Sequence, residues 1–521
     1  MNYTKCYNLR MQLEKGTVIQ VTIHDLAFGG AGVGRWRGQT GQAEEQTRQA
    51  EKPAQSAQLQ HRQEAEKKAE IIVFVPGALP GDRVEARILR SKKNFCEAEL
   101  VQIIKKAPNR IAARCKHFDI CGGCSLQNLA YEDQLAWKEK MVRDALERIG
   151  GIETMELLPI IGCDSPWFYR NKMEYSFGYE KKLEAPRPED LYLGLHPPKR
   201  FHDVFDLQEC FLMSELAPHI VDVVRQWARE HNLEPYHDRR NEKHLRSLIV
   251  REGKNTGEIM VNLIYNGREK LPLEDFAGRL KKNFPQITSI YATGFQRGRG
   301  SKTKHCEQLL EGKPAIIETL TVDKTTLHFE ILPEAFFQPN TKQAEVLYGE
   351  VLKAAHFEDW SNARSAAADS GATVGNSPLH VLDLFCGTGT IGMFFAQQGA
   401  QVTGIELNRH AIESAKKNAT RNNIDSIEFI CGDVREILPN LAPQSDLMIT
   451  DPPRAGIDES ALHTLLKFKI KNWIYVSCNP TTLARDLKIA LQHGYSIKKI
   501  QPVDMFPQTF HVETVATLTL T

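Results

Sequence analysis

From residue 336 to the C-terminus the chain repeats one pattern. Short apolar runs at 379–385, 401–405, 427–430, 447–450 and 473–477 alternate with amphipathic stretches of helical period. Runs that are apolar at nearly every position are buried on both faces, and spacers long enough for a crossover helix make neighbouring strands parallel. The expectation is a doubly wound, Rossmann-like α/β sheet, with one interruption at 361–378, a small polar stretch that reads as a loop.

Sheets of this kind bind ligands beyond the C-terminal ends of their strands. The first strand runs into Asp383-Leu384-Phe385-Cys386-Gly387-Thr388-Gly389-Thr390, and the second ends in Gly404-Ile405-Glu406. A glycine turn lets a ligand approach the backbone, and a carboxylate at the second strand's end suits ribose hydroxyls. The pattern is compatible with NAD, but the turn lacks the three glycines that bring a pyrophosphate to a helix N-terminus. S-adenosylmethionine, an adenosine ligand without pyrophosphate, fits better. Asp433 then reads either as a reader of the adenine amino group or as an ordinary turn aspartate. Asp451-Pro452-Pro453-Arg454 locks the backbone after the fourth strand. The fifth delivers Cys478 into an Asn-Pro turn, as a candidate nucleophile or a small buried hydrophobe.

At 521 residues several domains are expected. A net charge of +1 carries no global signature of a nucleic-acid binder, so any basic surface must be local. Residues 15–38 and 71–108 read as about five short strands of a small β-barrel, interrupted at 39–70 by a Gln/Glu/Ala/Lys-rich run too polar to fold alone. Between 83 and 116 lie ten Lys/Arg against three Glu, either a phosphate-binding face or a solvated one. Cys115, Cys121 and Cys124 cluster around two glycines, which points to metal, and an amphipathic helix is expected over 128–149. Cys96, Cys163, Cys306 and Cys431 read as packing residues. Residues 165–330 read as an α+β region. With no signal peptide and no apolar run of spanning length, a cytoplasmic protein without a membrane partner is expected.

The set CxxxxxCGGC (115, 121, 124), FFQPN (336–340), DLFCGTG (383–389), DPPR (451–454), SCNP (477–480) and HVET (511–514) resembles the RNA uracil-5-methyltransferases. The closer likeness is to the subfamily with a TRAM barrel and an iron-sulfur cluster that methylates 23S ribosomal RNA. The resemblance implies a TRAM barrel at 12–108 with the insertion 39–70, a central iron-sulfur and RNA-binding domain at 109–335, and a class I methyltransferase domain at 336–521. It makes Cys478 the nucleophile and Glu513 the general base. Gln338, Phe385, Thr390, Glu406, Asp433 and Asp451 fall at positions that contact S-adenosylmethionine or the target base, although some relatives carry Asn at the place of Thr390. Cys210 becomes the fourth ligand, beside Cys115, Cys121 and Cys124, of a [4Fe-4S] cluster; spacing alone fits zinc equally.

The chemistry explains why these residue types are needed. Carbon 5 of uracil is a poor nucleophile, and thiolate addition at carbon 6 converts the ring into an enolate that attacks a methyl sulfonium. The proton on carbon 5 must then leave to a base before the thiol is eliminated. The uridine has to leave its stack to reach such a site, and the FYRNK stretch (168–172) reads as a hold on flanking RNA or as an ordinary strand. The implied partner is RNA and the expected state a monomer. Transfer RNA remains the alternative substrate. An iron-sulfur or NAD-linked oxidoreductase and a non-catalytic zinc-bearing RNA-binding module are the rivals from other classes.

Overall fold

The structure, a computed structural model, describes residues 13–37, 70–179, 187–200, 202–298, 303–355, 378–440 and 445–521. The insertion 39–70 apart from Glu70, and the loop 361–378 apart from Pro378, lie outside the described residues. Two compact units result, one of Met1–Ala113 with Ser125–Trp137 and one of Arg114–Cys124 with Lys138–Thr521.

The first unit holds the expected barrel. Its strands are β1 (Val18–Leu26), β2 (Ala31–Trp36), β3 (Ile71–Pro76), β4 (Arg83–Ser91) and β5 (Phe95–Lys105), closed in the order β1-β2-β3-β5-β4. Strand alternation turns Ile19, Val21, Ile23, Val73, Val75, Val84, Ala86 and Ile88 inward, and closure leaves no edge strand. Part of the basic surplus is structural. Asp82 is buried and accepts from the amides of Leu79 at 2.7 Å and Ala107 at 2.8 Å, and it pairs with the Arg110 guanidinium. Arg87 pairs with Glu99 at 2.7 Å. The phosphate-binding reading of the 83–116 stretch is thinner than its charge count.

In the second unit, the α+β region forms a seven-stranded sheet ordered β12-β11-β10-β9-β6-β7-β8. These strands are β6 (Lys172–Tyr179), β7 (Leu191–Leu195), β8 (Phe205–Asp206), β9 (Leu245–Glu252), β10 (Ile259–Asn266), β11 (Ser289–Gln296) and β12 (Lys304–Gly312). Helices Leu216–Glu230 and Leu273–Asn283 place Ile220, Val224, Trp227, Phe276 and Leu280 in one core with Tyr175, Leu248 and Val261 of the sheet. The helix expected at 128–149 spans Tyr131–Ala145 and ends in a π turn, Leu146–Gly150, with Gly151 left-handed at φ 67°. A hairpin of β13 (Ile316–Val322) and β14 (Thr325–Ile331) precedes the helix Thr341–Ala354.

The last sheet contains β15 (His380–Leu384), β16 (Gln401–Glu406), β17 (Ile427–Cys431), β18 (Leu447–Thr450), β19 (Asn472–Ser477), β20 (Tyr495–Val503) and β21 (Glu513–Leu520), ordered β17-β16-β15-β18-β19-β21-β20. The five expected strands are present and mutually parallel. The chain winds outward to β17 and returns to β18 beside β15, which creates the crevice where ligands bind in such sheets. The sheet is nevertheless mixed, because β21 is antiparallel to both β19 and β20. The link from Val503 to Glu513 is too short for a crossover helix, which takes about a dozen residues, so the strand after it must reverse.

Candidate active site

A cavity of about 850 Å³ opens at the C-terminal ends of β15, β16, β18 and β19, and its lining includes Gln338, Phe385, Thr390, Glu406, Asp433, Asp451, Cys478 and Glu513. All eight residues singled out in the sequence for catalysis and cofactor contact therefore face one space. Each is placed there by local structure that its neighbours dictate.

Beyond β15, Phe385 is left-handed at φ 62°, a conformation that costs a residue with a β-carbon about 1–3 kcal/mol. Gly389 follows at φ 73°, and a β-carbon there would stand 2.4 Å from the Phe429 ring, so only glycine closes the turn. Thr390 then begins the helix Thr390–Gln397. Glu406 holds the turn from the side, accepting from the Gly387 amide at 3.2 Å and the Asn408 amide at 2.8 Å. Asp433 caps the short helix Val434–Ile437 and is forked by the Arg435 guanidinium, with its closest approach 2.6 Å. Those bonds to Arg435 hold its carboxyl below the usual range. Asp433 is thus a capping turn aspartate, and it also lines the cavity.

Gln338 is positioned from two sides. Asn171 of FYRNK donates its side-chain amide to the Gln338 carbonyl at 2.8 Å and its backbone amide to the Pro339 carbonyl at 2.9 Å. Tyr348, 5% exposed on the helix Thr341–Ala354, hydrogen-bonds the Gln338 side chain. FYRNK thus supports the cavity wall, and Arg170 within it also lines the cavity.

Cys478 and Glu513 meet because of the strand reversal. Ser477 at the end of β19 pairs with Thr514 near the start of β21, so the residue after one and the residue before the other are neighbours. The Asn479 side chain caps the helix Pro480–Gln492 and donates to the Arg454 carbonyl at 3.1 Å, tying the SCNP turn to DPPR. Burial, then Glu513 and Asp451, push the Cys478 thiol up to about 12, with Arg454 opposing. Burial and Asp451 push Glu513 up to about 8, again opposed by Arg454. Burial raises Asp451 to about 7, and burial and the neighbouring acids raise Asp383 to about 7. The Oδ1 of Asp383 has no partner among the described residues. Six acids and two thiols crowd one cavity against three arginines, which therefore favours a positively charged guest.

That crowding has a measurable consequence. Each of these three acids, Asp383, Asp451 and Glu513, has a folded pKa above its unfolded value, so folding takes up protons. The stabilisation is complete below the unfolded pKa and is lost as pH rises through about 7 to 8. The ligand-free protein is expected to melt at falling temperature from pH 6 to pH 9 in scanning calorimetry, and a cationic cofactor should flatten the slope.

The segment between β20 and β21 carries Phe506 and His511 to the cavity. Its anchor is Lys138, fully buried, which donates to Asp504 at 2.5 Å and to the Phe506 carbonyl at 3.0 Å. Tyr169 donates its hydroxyl to the Pro507 carbonyl at 3.0 Å. Burial and the nearby cations depress His511 to about 4, so its imidazole is neutral. Removing one partner of a buried ion pair costs about 3–5 kcal/mol. Lys138→Ala should destabilise the protein by about that amount in urea titration and lower turnover as well, because the loop loses its anchor.

Cys115, Cys121, Cys124 and Cys210 are half-buried and form no disulfide. Cys210 lies within electrostatic reach of both Cys115 and Cys121, and Cys124 and Cys210 pack against the central core. The Gly122 amide donates to the His196 carbonyl at 3.0 Å, and Cys121 Sγ accepts from the Gly123 amide at 3.3 Å. Among the described residues, no three Cys, His, Asp or Glu side chains converge closely enough to share one metal ion. Of the cysteines read as packing residues, Cys96 and Cys163 are buried, whereas Cys306 and Cys431 are exposed. Cys306 lies exposed on the edge strand β12.

Tyr348 and Phe506 carry no sequence motif, and Arg170 and His511 enter the sequence reading only as members of FYRNK and HVET. Tyr348 shares a face with Ala344, Leu347 and Val351, where an aromatic reads as core. No helix among the described residues is long and apolar enough to cross a membrane.

Comparison with known proteins agrees with this geometry. A sequence profile described as tRNA (Uracil-5-)-methyltransferase matches residues 254–520, and one described as TRAM domain matches residues 12–101. An uncharacterised RNA methyltransferase of Halalkalibacterium halodurans is 35% identical over 515 residues, covering 98% of each chain. One from Bacteroides thetaiotaomicron is 37% identical over 465 residues, 87% of this chain and 97% of that one. Among solved structures, the Pyrococcus abyssi tRNA (uracil-54, C5)-methyltransferase in complex with S-adenosyl-L-homocysteine is 26% identical, with a TM-score of 0.67 over 96% of this chain and 100% of that one.

Proposed function

Because the chain belongs to the RNA uracil-5-methyltransferase family, whose members use S-adenosylmethionine, we propose that it methylates carbon 5 of a uridine in 23S ribosomal RNA through a covalent adduct on Cys478. The observation that carries this reading is the meeting of Cys478 and Glu513 at adjoining strand ends, inside a cavity rimmed by Asp383, Glu406 and Asp451.

The carboxylates give the sulfonium and amino groups of the cofactor a negative wall, and Gln338, Phe385, Thr390, Glu406, Asp433 and Asp451 supply its contacts or those of the target base. The Cys478 sulfur bonds to carbon 6 of the uracil, and the ring electrons shift to make an enolate. Carbon 5 takes the methyl group, and S-adenosylhomocysteine leaves. Glu513 then removes the proton from carbon 5, the carbon–sulfur bond breaks, and the thiolate is regenerated. A carboxyl raised to about 8 suits this task, since a base near the working pH is efficient. Glu513 must be ionised at that step, so turnover is expected to rise as pH passes through about 8, as a pH–rate profile would record.

Cys115, Cys121, Cys124 and Cys210 are proposed to hold a [4Fe-4S] cluster of structural role. Zinc gathers its thiolates about 2.3 Å from one point, whereas a cubane gives each thiolate its own iron and spreads them wider; Cys210 lies within electrostatic reach of both Cys115 and Cys121. When bound, the cluster would tie the 115–124 loop to the 210 segment. The three-domain division at 108/109 and 335/336, a monomeric state and a cytoplasmic location belong to the same reading.

The 23S substrate rests on the pairing of a TRAM barrel with these four cysteines. Transfer RNA is the second reading, favoured by the profile's description and by the Pyrococcus abyssi enzyme. Labelled S-adenosylmethionine offered with unmodified 23S and transfer-RNA transcripts, followed by mass spectrometry of the digests, separates them. Methyl on 23S alone supports the proposal; methyl on transfer RNA alone replaces it.

A further inference from the structure

HVET puts two polar side chains on the wall of the catalytic cavity, His511 and Glu513, and only Glu513 has a role so far. Between them Val512 is fully buried in the core that holds Leu384 and Tyr475. The extended backbone alternates, so the side chains of 511 and 513 turn to the cavity together.

The His511 ring is held firmly. Phe510 lies against it with ring centroids 4.2 Å apart, and Phe506 meets it at 5.7 Å. The His511 backbone amide donates to the Thr509 hydroxyl at 3.2 Å, and that hydroxyl donates to the Phe506 carbonyl at 2.8 Å, the same carbonyl that Lys138 binds. Neither ring nitrogen is hydrogen-bonded among the described residues. Burial and the nearby cations keep the imidazole neutral, which leaves it one N–H to donate.

Its place in the cavity follows from the strand pairing. Ser477 stands opposite Thr514, which sets Cys478 beside Glu513 and carries His511 two residues, about 6.6 Å, farther out over the strand ends. Carbon 6, carbon 5 and carbon 4 with its oxygen O4 are consecutive in the uracil ring. With carbon 6 at Cys478 and carbon 5 at Glu513, O4 comes next along that line. The arginines of the cavity serve differently: Arg435 is forked on Asp433, Arg170 donates Nε to the Lys172 carbonyl at 2.9 Å, and Arg454 is exposed.

We propose that the His511 imidazole donates its N–H to O4 of the target uracil and so stabilises the enolate formed when Cys478 adds to carbon 6. The inference rests on the covalent reading above and adds a third catalytic residue to it. The enolate arises twice, on thiol addition and again when Glu513 takes the proton from carbon 5. The N–H stays on the ring throughout, and its bond strengthens as charge builds on O4. A neutral imidazole fixed beforehand is suited to a carbonyl that gains negative charge.

The test measures single-turnover methyl transfer by the full-length protein on whichever transcript wild type methylates, 23S or transfer RNA. His511→Phe keeps an aromatic ring against Phe506 and Phe510 and removes the donor. Its rate should fall about 10²–10³-fold, with cofactor and RNA affinities near those of wild type. His511→Asn and His511→Gln put an amide N–H where one or other ring nitrogen stood, and one of them should recover about tenfold. On transcripts carrying 4-thiouridine, whose sulfur accepts a hydrogen bond poorly, wild type and His511→Phe should differ far less. Equal rates for wild type and His511→Phe on uridine overturn the inference. An equal loss on both kinds of transcript, or no recovery with either amide, makes His511 a packing residue and overturns it as well. A wild type that methylates neither RNA fails before the variants are compared, and sinks the covalent reading together with this one.

Discussion

Cys478→Ala is expected to abolish methyl transfer, by about 10⁴-fold or more, while S-adenosylmethionine still binds with near-native affinity. Without a thiol, carbon 5 of uracil stays unactivated, and no other described nucleophile is placed at the strand end beside Glu513. Cys386 lines the same cavity, but it sits in the turn after β15, and burial pushes its thiol far up. The substitution removes one half-buried sulfur from the helix-capping turn, where Asn479 keeps its own bonds, so the cofactor wall is undisturbed. Isothermal titration with the cofactor, run beside a methyl-transfer assay, separates the two effects. Loss of cofactor binding together with activity would mean that Cys478 supports the cofactor site instead.

Glu513→Ala has a different signature. General bases contribute about 10²–10⁴-fold, so turnover should fall into that range or below it. The distinctive outcome is accumulation rather than simple loss. Thiol addition and methyl transfer precede the step that needs the carboxylate, so the enzyme should stall with methylated RNA bound to Cys478. The burst of S-adenosylhomocysteine should equal one per enzyme. Glu513 is 5% exposed, with Asp451 and Arg454 as its charged neighbours, and no described carboxylate other than Asp451 is close enough to stand in for it. The double variant Glu513→Ala with Asp451→Asn would show whether Asp451 takes over part of the proton transfer.

Much of this architecture is legible in the sequence because the determinants are local. Five apolar runs with helical spacers leave few alternatives to a parallel sheet, and β18 appears at Leu447–Thr450 as expected. The barrel strands announce themselves by alternation and by glycine and proline turns. What depends on strand direction is hidden. The approach of Glu513 to Cys478 follows from the antiparallel β21, whose reversal is set by a short link that carries no motif of its own. Charge counting also misleads where a partner is distant in sequence. Arg110 counts as part of a basic face but is spent on Asp82, and Lys138, on an ordinary amphipathic helix, anchors the loop that carries His511. Tyr348 is the same lesson for aromatics, a core-like residue that hydrogen-bonds Gln338 in the cavity wall. The four cysteines show the converse case. Their grouping is visible as a motif, but how the folded loops at 115–124 and 210 place the four thiols is not.

The central claim is the covalent route through Cys478 with Glu513 as the base. Intact-mass analysis of denatured protein, after incubation with substrate RNA and S-adenosylmethionine, tests it most directly. Glu513→Ala should yield a protein–RNA adduct carrying one added methyl group, and Cys478→Ala should yield none. Equal adduct from both variants, or none from Glu513→Ala while it still turns over, would contradict the account.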